Sequence, residues 1–443
     1  MKYRVIKPRN LSANVTLPAS KSISNRAIVL NALSGSPIGL LANISDCDDT
    51  SVMLATFFLL DCERREGKMG QLLPTVNIKA AGTAMRFLTA YLSANPDLGT
   101  RVLTGSERMQ HRPIGILVEA LRTLGAQIKY VGEEGYPPLR ITGVQLHGGD
   151  LTLSGSVSSQ YISALLMVAP LLEEGLVLHL KGDIVSRPYI NMTIAMMREH
   201  GAEVKWKGPR TIAVSPGHPY RPTPYVIESD WSAASYWYEI EILSQNKMET
   251  LSLQGLFKKS IQGDKMVAEL FKQLSVQTFF YSGQDSTHVL LFRRGRMAKR
   301  LVCDFTNIPD LAQTLVVTCS LLGIPFHFSG LQSLRIKETD RIAALQKELR
   351  KLGVQIEVEG DSVISWAGPG EQELGEVPYL HPVEAVVIDT YDDHRMAMAF
   401  APAALVIGQI DINNPEVVSK SYPHYWDDLQ RAGFDITSQI SEA

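Results

Sequence analysis

The sequence has few cysteines, no excess of basic residues and no long uninterrupted apolar run. Its four cysteines form no CxxC pair and no spacing with histidine that is typical of a metal site. This usage favours reduced, inert thiols in a cytosolic protein. The formal net charge of -3 argues against a large polyanion such as nucleic acid as the partner.

The sequence also lacks features of export or membrane insertion. The amino terminus, MKYRVIKPRN, has no apolar core of a signal peptide. The longest apolar runs, residues 164–172 and 396–407, each contain a proline and are too short to span a bilayer. We therefore expect a cytoplasmic protein without a membrane partner, in which both runs form buried helices. We also expect a monomer.

The length and composition are those of a globular protein with more than one core. The chain has 443 residues, of which 45% are hydrophobic and 20% are charged. A single core rarely grows beyond about 250 to 300 residues, so two domains of roughly 200 residues each are expected.

A pattern of helix, turn and short strand recurs along the chain. Copies occupy residues 116–131, 194–207, 267–281, 342–360 and 425–437. Their turns, at Gly125, Gly201, Ser275, Gly353 and Gly433, are separated by 76, 74, 78 and 80 residues. Several copies continue into a second strand, which predicts a repeated α/β unit. A degenerate sixth copy is predicted around residues 52–62, with its strand at 75–79, giving three repeats per domain.

The proline-rich segment at residues 217–237 marks the main domain boundary. A second crossing is predicted near residues 18–20, because the first strand can belong with the carboxy-terminal half. The predicted domains are therefore residues 19–229 and residues 1–18 plus 230–443.

Short groups of cationic and hydroxyl side chains lie where strands lead into helices. Residues 17–33, LPASKSISNRAIVLNAL, place Lys21, Ser22 and Arg26 at a helix start, which suits either an anion or a simple cap. In KAAGTAMR, Gly82 would let a ligand approach the backbone, although a plain turn glycine is the alternative. Ser158 offers a further hydroxyl, together with the two polar residues after it, or only a cap.

The second half of the sequence contains candidate site carboxylates as well as cationic residues. The apolar spacing within residues 333–352, SLRIKETDRIAALQKELRKL, predicts an amphipathic helix that carries Glu338 on its core-facing stripe. Asp310 lies at the mouth of an apolar helix, as a cap or a general base. The run Asp392, Asp393 and His394 suggests a metal only weakly, because adjacent side chains rarely converge on one ion.

Taken together, the cations at these junctions predict one cleft for a multiply negative ligand set. They are Lys21, Arg26, Arg86, Arg108, Lys337, Arg341, Arg395 and Lys420. Neither a GxxxxGK[ST] loop nor a strand-linked GxGxxG motif is present, which disfavours nucleoside triphosphates and dinucleotides.

The ordered motifs resemble one family from end to end. They include PASKSISNRA, AAGTAMR, RMQHRPI, VSSQYISALLM, NIPD, RIKETDR, DDHRMAMAF and SKSYPHYW. The chain resembles the 5-enolpyruvylshikimate-3-phosphate synthases, or 3-phosphoshikimate 1-carboxyvinyltransferases, of the enolpyruvyl transferase family. The resemblance implies an α/β fold of two similar domains, each with three βαβαββ repeats in an inside-out barrel-like arrangement, and an active site in the interdomain cleft.

The resemblance also implies a reaction of the shikimate pathway, in chorismate and aromatic amino acid biosynthesis. The 5-hydroxyl of shikimate 3-phosphate attacks C2 of phosphoenolpyruvate while C3 is protonated, and the tetrahedral intermediate then loses phosphate and a C3 proton. No metal or organic cofactor is implied. The first domain would mainly bind shikimate 3-phosphate, and the second would mainly bind phosphoenolpyruvate and transfer protons.

Matching positions carry the roles that the resemblance implies. Shikimate 3-phosphate would contact Lys21, Ser22, Arg26, Ser158, Ser159, Gln160, Ser186, Tyr189 and Ser333. Phosphoenolpyruvate would contact Lys21, Gly82, Arg108, Arg341, Arg395 and Lys420. The catalytic residues would be Asp310 and Glu338, which exchange protons, and Lys337, which lies between the substrates.

The chain departs from the family pattern at three positions. Ala80 and Ser333 each stand where relatives often have Asn, and Asp392 stands where Asn or Gly is commoner. We expect these changes to tune affinity. The alternatives are a transferase acting on UDP-N-acetylglucosamine, whose loop cysteine has no counterpart in RMQHRPI, and a catalytically inactive anion-binding relative.

Overall fold

A computed structural model of the chain describes residues 1–68, 74–217, 220–244, 251–282, 287–369 and 386–439. The strands are β1 Lys2–Ile6, β2 Ala13–Thr16, β3 Leu41–Ala42, β4 Thr75–Asn77, β5 Thr100–Thr104, β6 Gln127–Tyr130, β7 Leu139–Thr142, β8 Gly149–Ser154, β9 Leu176–Lys181, β10 Val204–Trp206, β11 Thr211–Val214, β12 Tyr225–Val226, β13 Leu251–Gln254, β14 Val276–Ser282, β15 Thr287–Arg293, β16 Leu301–Asp304, β17 Phe326–Ser329, β18 Glu357–Glu359, β19 Val363–Trp366, β20 Val387–Ile388, β21 Gln409–Asn413 and β22 Asp435–Gln439.

The helices are α1 Lys21–Leu33, α2 Asp48–Glu66, α3 Gly82–Ser93, α4 Glu107–Gln110, α5 Gly115–Thr123, α6 Ser159–Val168, α7 Arg187–Glu199, α8 Trp231–Leu243, α9 Val267–Gln273, α10 Ala312–Leu321, α11 Arg341–Lys351, α12 His394–Phe400, α13 Ala404–Ile407 and α14 Tyr425–Arg431. Short 3-10 turns at Pro309–Leu311, Gln332–Ile336 and Pro415–Lys420 carry or flank candidate site residues. No helix within the described ranges is long and apolar enough to cross a membrane.

The chain divides into two compact units. The first unit is Ala19–Ile227, and the second is Met1–Pro18 together with Glu228–Ala443. The sequence had suggested residue 229 as the end of the first. The division follows hydrogen bonding, because the Ile227 N–H donates to the Ala42 carbonyl of the first unit at 3.0 Å, while Glu228 Oε1 accepts from Trp231 Nε1 at 2.7 Å in the second.

The repeat predicted from the sequence is present in the sheets. Five four-stranded sheets share one arrangement: β4-β5-β7-β6, β8-β9-β11-β10, β2-β13-β15-β14, β16-β17-β19-β18 and β20-β21-β1-β22. In each, a parallel pair is extended by an antiparallel pair. In the last sheet β1, from the amino terminus, pairs with β21 and β22.

The period of the repeat is visible in the sequence because a turn residue of a characteristic type follows each of these helices. All five turn residues have positive φ, from 71° at Ser275 to 106° at Gly433. Four of them are glycine, which adopts this conformation without a Cβ clash. The strand after each of the first four turns, such as β6 or β18, pairs with the next strand along the chain, whereas β22, after Gly433, pairs with β1.

Two predictions from the sequence were wrong in detail. The strand at residues 75–79 does not complete the degenerate sixth repeat, because β4 pairs with β5 in the following sheet; the only described pairing of the sixth repeat is β3 with β12. Helix α11 begins at Arg341 and does not include Glu338, because the Asp340 carboxylate accepts from the N–H groups of Ile342 and Ala343 and caps the helix there. Glu338 therefore precedes the helix.

The first helix of each repeat forms the interior of its unit. Every residue of α3, α8, α10 and α12 is buried. The N–H groups in the first turn of a helix have no partner within that helix. The first turns of these buried helices can therefore donate hydrogen bonds to a ligand. The predicted site residues cluster at these points.

Candidate active site

The second unit gathers three cations around Asp310, which lies in the 3-10 turn before α10. Asp310 Oδ1 is 3.2 Å from Arg341 Nη1 and 3.5 Å from Lys337 Nζ. Asp310 Oδ2 is 3.0 Å from Arg395 Nη2. The Asp310 side chain keeps 18% of its surface exposed, so a carboxylate held between three cations still faces outward.

Glu338 joins the same group through Arg341. Its Oε2 accepts from Arg341 Nη2 at 2.8 Å, and its side chain is one-quarter exposed. The structure therefore brings together Asp310, Lys337, Glu338, Arg341 and Arg395, five residues that the sequence had placed in one site. We name this group the Asp310 cluster.

The buried residue Asp393 contacts two members of the Asp310 cluster, Arg341 and Arg395. Asp393 is 0% exposed, its Oδ2 lies 2.6 Å from Arg341 Nε, and its Oδ1 accepts from the Arg395 N–H at 2.9 Å. Burial alone would lower the pKa of Arg341, but the neighbouring Asp393, Glu338 and Asp310 raise it above its usual value. Arg341 thus stays a permanent cation with fixed orientation. The sequence had considered Asp393 only as a weak metal ligand.

Asp264 is a further acidic group beside this cluster, and the sequence gave no sign of it. It is 2% exposed and accepts a hydrogen bond from the Ser232 hydroxyl. Burial and the nearby Asp310 charge raise the pKa of Asp264 to about 7. No spacing links it to Asp310, 46 residues away, so only the folded chain places the two carboxyls near one another.

Lys420 and Ser333 lie in two 3-10 turns of the same unit. Lys420 ends the turn Pro415–Lys420 and donates to the Asp392 carbonyl oxygen at 2.6 Å. Ser333 lies in the turn Gln332–Ile336, four residues before Lys337. Its hydroxyl oxygen is buried and has no hydrogen-bond partner among the described residues.

In the first unit, the candidate residues occupy the starts of four helices. Lys21, Ser22 and Arg26 lie on α1, and Gly82 begins α3. The α6 start carries Ser158, whose side chain accepts from the Gln160 N–H, and α7 begins after Ser186, which has φ 56°. Because these starts combine N–H groups with hydroxyls and a positive dipole end, they suit an anionic ligand.

Two sets of side-chain hydrogen bonds connect these four helices. Gln160 Nε2 donates to Thr83 Oγ1 at 3.1 Å and joins α6 to α3. The Arg26 guanidinium donates to Thr193 Oγ1 at 2.7 Å, to Ser163 Oγ at 3.1 Å and to the Tyr189 carbonyl at 3.5 Å. Arg26 thus joins α1 to α6 and α7.

Arg26 and Lys21 differ in their surroundings. Arg26 is only 2% exposed, and burial lowers its pKa to about 10. Lys21 Nζ lies 3.4 Å from Asp49 Oδ2, and its side chain is 18% exposed. Lys21 is therefore the more accessible of the two cations on α1.

The surroundings of Gly82 contain an arginine that the predicted site omitted. A Cβ atom at Gly82 would lie 2.8 Å from Arg112 Nη1 and 3.0 Å from Arg86 Nη1. Arg108, chosen from the same RMQHRPI motif, is exposed on α4. Both arginines were visible in the motif, but only the folded backbone shows which guanidinium lies against Gly82.

The fold and these groups have the features of an α/β transferase that handles small acidic substrates. The family model for EPSP synthase (3-phosphoshikimate 1-carboxyvinyltransferase) matches residues 5–429. The chain belongs to this family, which confirms the predicted recognition, fold class and enzyme class.

Curated relatives and solved structures agree. A 3-phosphoshikimate 1-carboxyvinyltransferase of Bacteroides fragilis is 52% identical over 436 residues, covering 98% of this chain and 99% of the relative. One of Photobacterium profundum is 36% identical over 434 residues, covering 95% and 96%. An EPSP synthase structure from Acinetobacter baumannii has a TM-score of 0.75 at 23% identity and covers 99% and 100%, so it supports the fold. The two alternative functions are not favoured.

Proposed function

We propose that this chain transfers the enolpyruvyl group of phosphoenolpyruvate to the 5-hydroxyl of shikimate 3-phosphate. The products are 5-enolpyruvylshikimate 3-phosphate and inorganic phosphate, within the pathway to chorismate and aromatic amino acids. The observation that best supports this reaction is Asp310, whose two oxygens contact Lys337, Arg341 and Arg395 beside Glu338.

The Asp310 cluster suits the chemistry of phosphoenolpyruvate. Its arginines offer bidentate donors to a carboxylate or phosphate, and they are held in place before substrate arrives, as electrostatic stabilisation requires. Lys420 would add a further cation for phosphoenolpyruvate. Arg341 and Arg395 both have contacts to buried or partly buried carboxylates that fix their direction.

Two carboxylates are available for the proton transfers of the reaction. The attacking hydroxyl loses a proton as its oxygen bonds to C2, and C3 gains a proton. The tetrahedral intermediate then loses a C3 proton as the C2–O bond to phosphate breaks. We assign these transfers to Asp310 and Glu338, with Lys337 between the substrates, since positioned carboxylates perform general acid–base catalysis.

The first unit would bind shikimate 3-phosphate. The proposed ligands in this unit are Lys21, Ser22, Arg26, Ser158, Ser159, Gln160, Ser186 and Tyr189. Hydroxyls and N–H groups at the starts of α6 and α7 suit the phosphate. We further assign phosphate or carboxylate binding near Gly82 to Arg112, because Arg112 Nη1 lies closest to the glycine.

A direct assay tests the proposal. Purified protein is mixed with shikimate 3-phosphate and phosphoenolpyruvate, and inorganic phosphate is measured over time. Phosphate release that needs both substrates is expected. UDP-N-acetylglucosamine replaces shikimate 3-phosphate in a parallel reaction. Phosphate release with UDP-N-acetylglucosamine but not with shikimate 3-phosphate would contradict the proposed reaction. Protection of the protein against heat by the substrates, without any phosphate release, would also contradict it.

We also propose that the chain acts as a monomer in the cytoplasm. All four cysteines are free thiols, two of them buried, which fits a reducing compartment. Light scattering on the active enzyme should give the mass of one chain. Fractionation of cells should recover the activity in the cytoplasmic extract, and recovery elsewhere would contradict the proposed location.

A further inference from the structure

A short segment before α12, residues 387–392, is tied to the buried face of α11. Glu348 is 0% exposed; its Oε1 accepts from the Tyr391 hydroxyl at 2.6 Å, and its Oε2 accepts from the Asp389 N–H at 3.0 Å. Lys351, one helical turn on, donates to the Val387 carbonyl at 2.9 Å and pairs with Asp389 at 3.0 Å. The segment therefore has a fixed position along α11.

The backbone of this segment is strained at two consecutive positions. Tyr391 has φ 53° and Asp392 has φ 55°, and neither is glycine. Residues other than glycine rarely adopt this conformation, which persists only where the surroundings enforce it. The Tyr391 side chain is held by its hydrogen bond to Glu348, by Lys347 Nζ 5.5 Å from the ring centroid and by packing against the core.

The strained pair leads directly into groups of the candidate active site. The Asp392 carbonyl accepts from Lys420 Nζ at 2.6 Å. The Asp393 N–H donates to the Thr390 carbonyl at 2.8 Å, after which Asp393 caps α12. Two left-handed residues thus set both the direction of one carbonyl and the first turn of α12.

Helix α11 contacts this region twice along one face. Arg341 and Glu348 are seven residues apart, which places them on the same side of a helix. Arg341 pairs with Asp393, and Glu348 holds Tyr391. The same helix therefore fixes the strained turn and the carboxylate that orients Arg341.

We propose that Glu348 and Tyr391 are positioning residues for the phosphoenolpyruvate cations. They hold the left-handed turn at 391–392, so that the Asp392 carbonyl fixes the Lys420 ammonium and Arg395 enters α12 beside Arg341. This inference rests on the role proposed above for Lys420. Neither positioning residue touches substrate; each acts through the cations.

The first test compares two substitutions at one position. Asp392→Gly and Asp392→Val both remove the carboxylate, but glycine adopts positive φ freely while a β-branched residue resists it. A charge-assisted hydrogen bond contributes about 1.5 to 3 kcal/mol, so the KM for phosphoenolpyruvate should be about tenfold or more higher in the Val variant than in the Gly variant. The KM for shikimate 3-phosphate should differ by less than about twofold. Equal KM values for phosphoenolpyruvate would overturn the proposal.

The second test removes one hydroxyl. Tyr391→Phe is compared with Tyr238→Phe, which removes a hydrogen bond to Thr278 Oγ1 at 2.8 Å elsewhere in the same unit. Both should lower the urea midpoint, but only Tyr391→Phe should raise the KM for phosphoenolpyruvate, by about five- to tenfold. A loss of stability with unchanged KM would mean a purely structural contact and would overturn the proposal.

A third variant separates this inference from the function on which it rests. Lys420→Ala is measured in the same assay. If Lys420→Ala leaves the KM for phosphoenolpyruvate unchanged, the assignment of Lys420 itself fails, and the inference fails with it. If Lys420→Ala raises that KM while the two Asp392 variants stay equal, the site stands and the positioning role is overturned.

Discussion

Arg341 Nε lies 2.6 Å from Asp393 Oδ2, so the first residue of α11 is paired with the residue that caps α12. Both side chains are almost wholly buried, at 2% and 0% exposed. A buried charge that loses its partner is left without compensation, whereas the pair together is tolerated.

Asp393→Asn therefore tests how much this pair contributes to the free energy of unfolding. Asparagine still accepts the Arg395 N–H as a cap, so the substitution removes the charge and little else. Arg341 keeps Glu338 and Asp310 as partners, so we expect the free energy of unfolding to fall by about 1.5 to 3 kcal/mol, measured by urea denaturation. Asp427→Asn, at an exposed position of α14, serves as the control. Equal effects of the two substitutions would show that the buried pair contributes nothing special.

Glu338→Gln tests the assigned proton transfer. Glutamine keeps an oxygen that can accept from Arg341 but cannot exchange a proton, so kcat should fall by about two or more orders of magnitude. Protection of the protein by both substrates against heat should persist. Glu359→Gln, on an exposed carboxylate of β18, provides a matched control. Lost protection with unchanged kcat would contradict the assignment.

Arg112→Ala and Arg108→Ala form a matched pair from one motif. Each removes one cation from the first unit, but only Arg112 lies against Gly82. We expect Arg112→Ala to raise the KM for phosphoenolpyruvate about tenfold or more, and Arg108→Ala to change it about two- to threefold at most. The reverse order would restore Arg108 as the ligand.

Asp264→Asn tests a dependence of stability on pH. Because the pKa of Asp264 is about 7 in the folded protein, the folded state binds more protons than the unfolded state above the ordinary carboxyl pKa. Its stabilising effect is complete at pH values below about 4 and is lost as the pH rises to about 7.

Urea midpoints from pH 5 to pH 8 measure this effect. The midpoint of the unmodified protein should fall over that range relative to Asp264→Asn, which has no carboxyl to ionise. Parallel curves for the two proteins would contradict the raised pKa.

Much of the fold could be predicted from the sequence because its signals are local. The turn residues at 125, 201, 275, 353 and 433 mark the helix ends, and their left-handed backbone favours glycine, which occurs at four of the five positions. The start of α11 was predicted too early because the helical spacing of the apolar residues, extended four positions back from Ile342, reaches Glu338. The capping carboxylate of Asp340, rather than the stripe, decides where the helix begins.

The candidate site was only partly predictable for a different reason. Asp310, Lys337, Glu338, Arg341 and Arg395 lie at or just before helix starts, and the structure brings them into contact. Asp264 and the contact between Gly82 and Arg112 have no signal in the sequence, since they depend on packing between elements far apart in the chain.

The sequence alone determined the family, the repeated α/β unit and most of the charged groups that the site uses. These follow from residue types at fixed spacing, which survive without knowledge of packing. Tertiary structure decided which arginine of RMQHRPI lies against Gly82, which carboxylates are buried, and that a strained turn at Tyr391 and Asp392 aims a carbonyl at Lys420. Distances between remote side chains depend on how helices pack, and no local pattern encodes them.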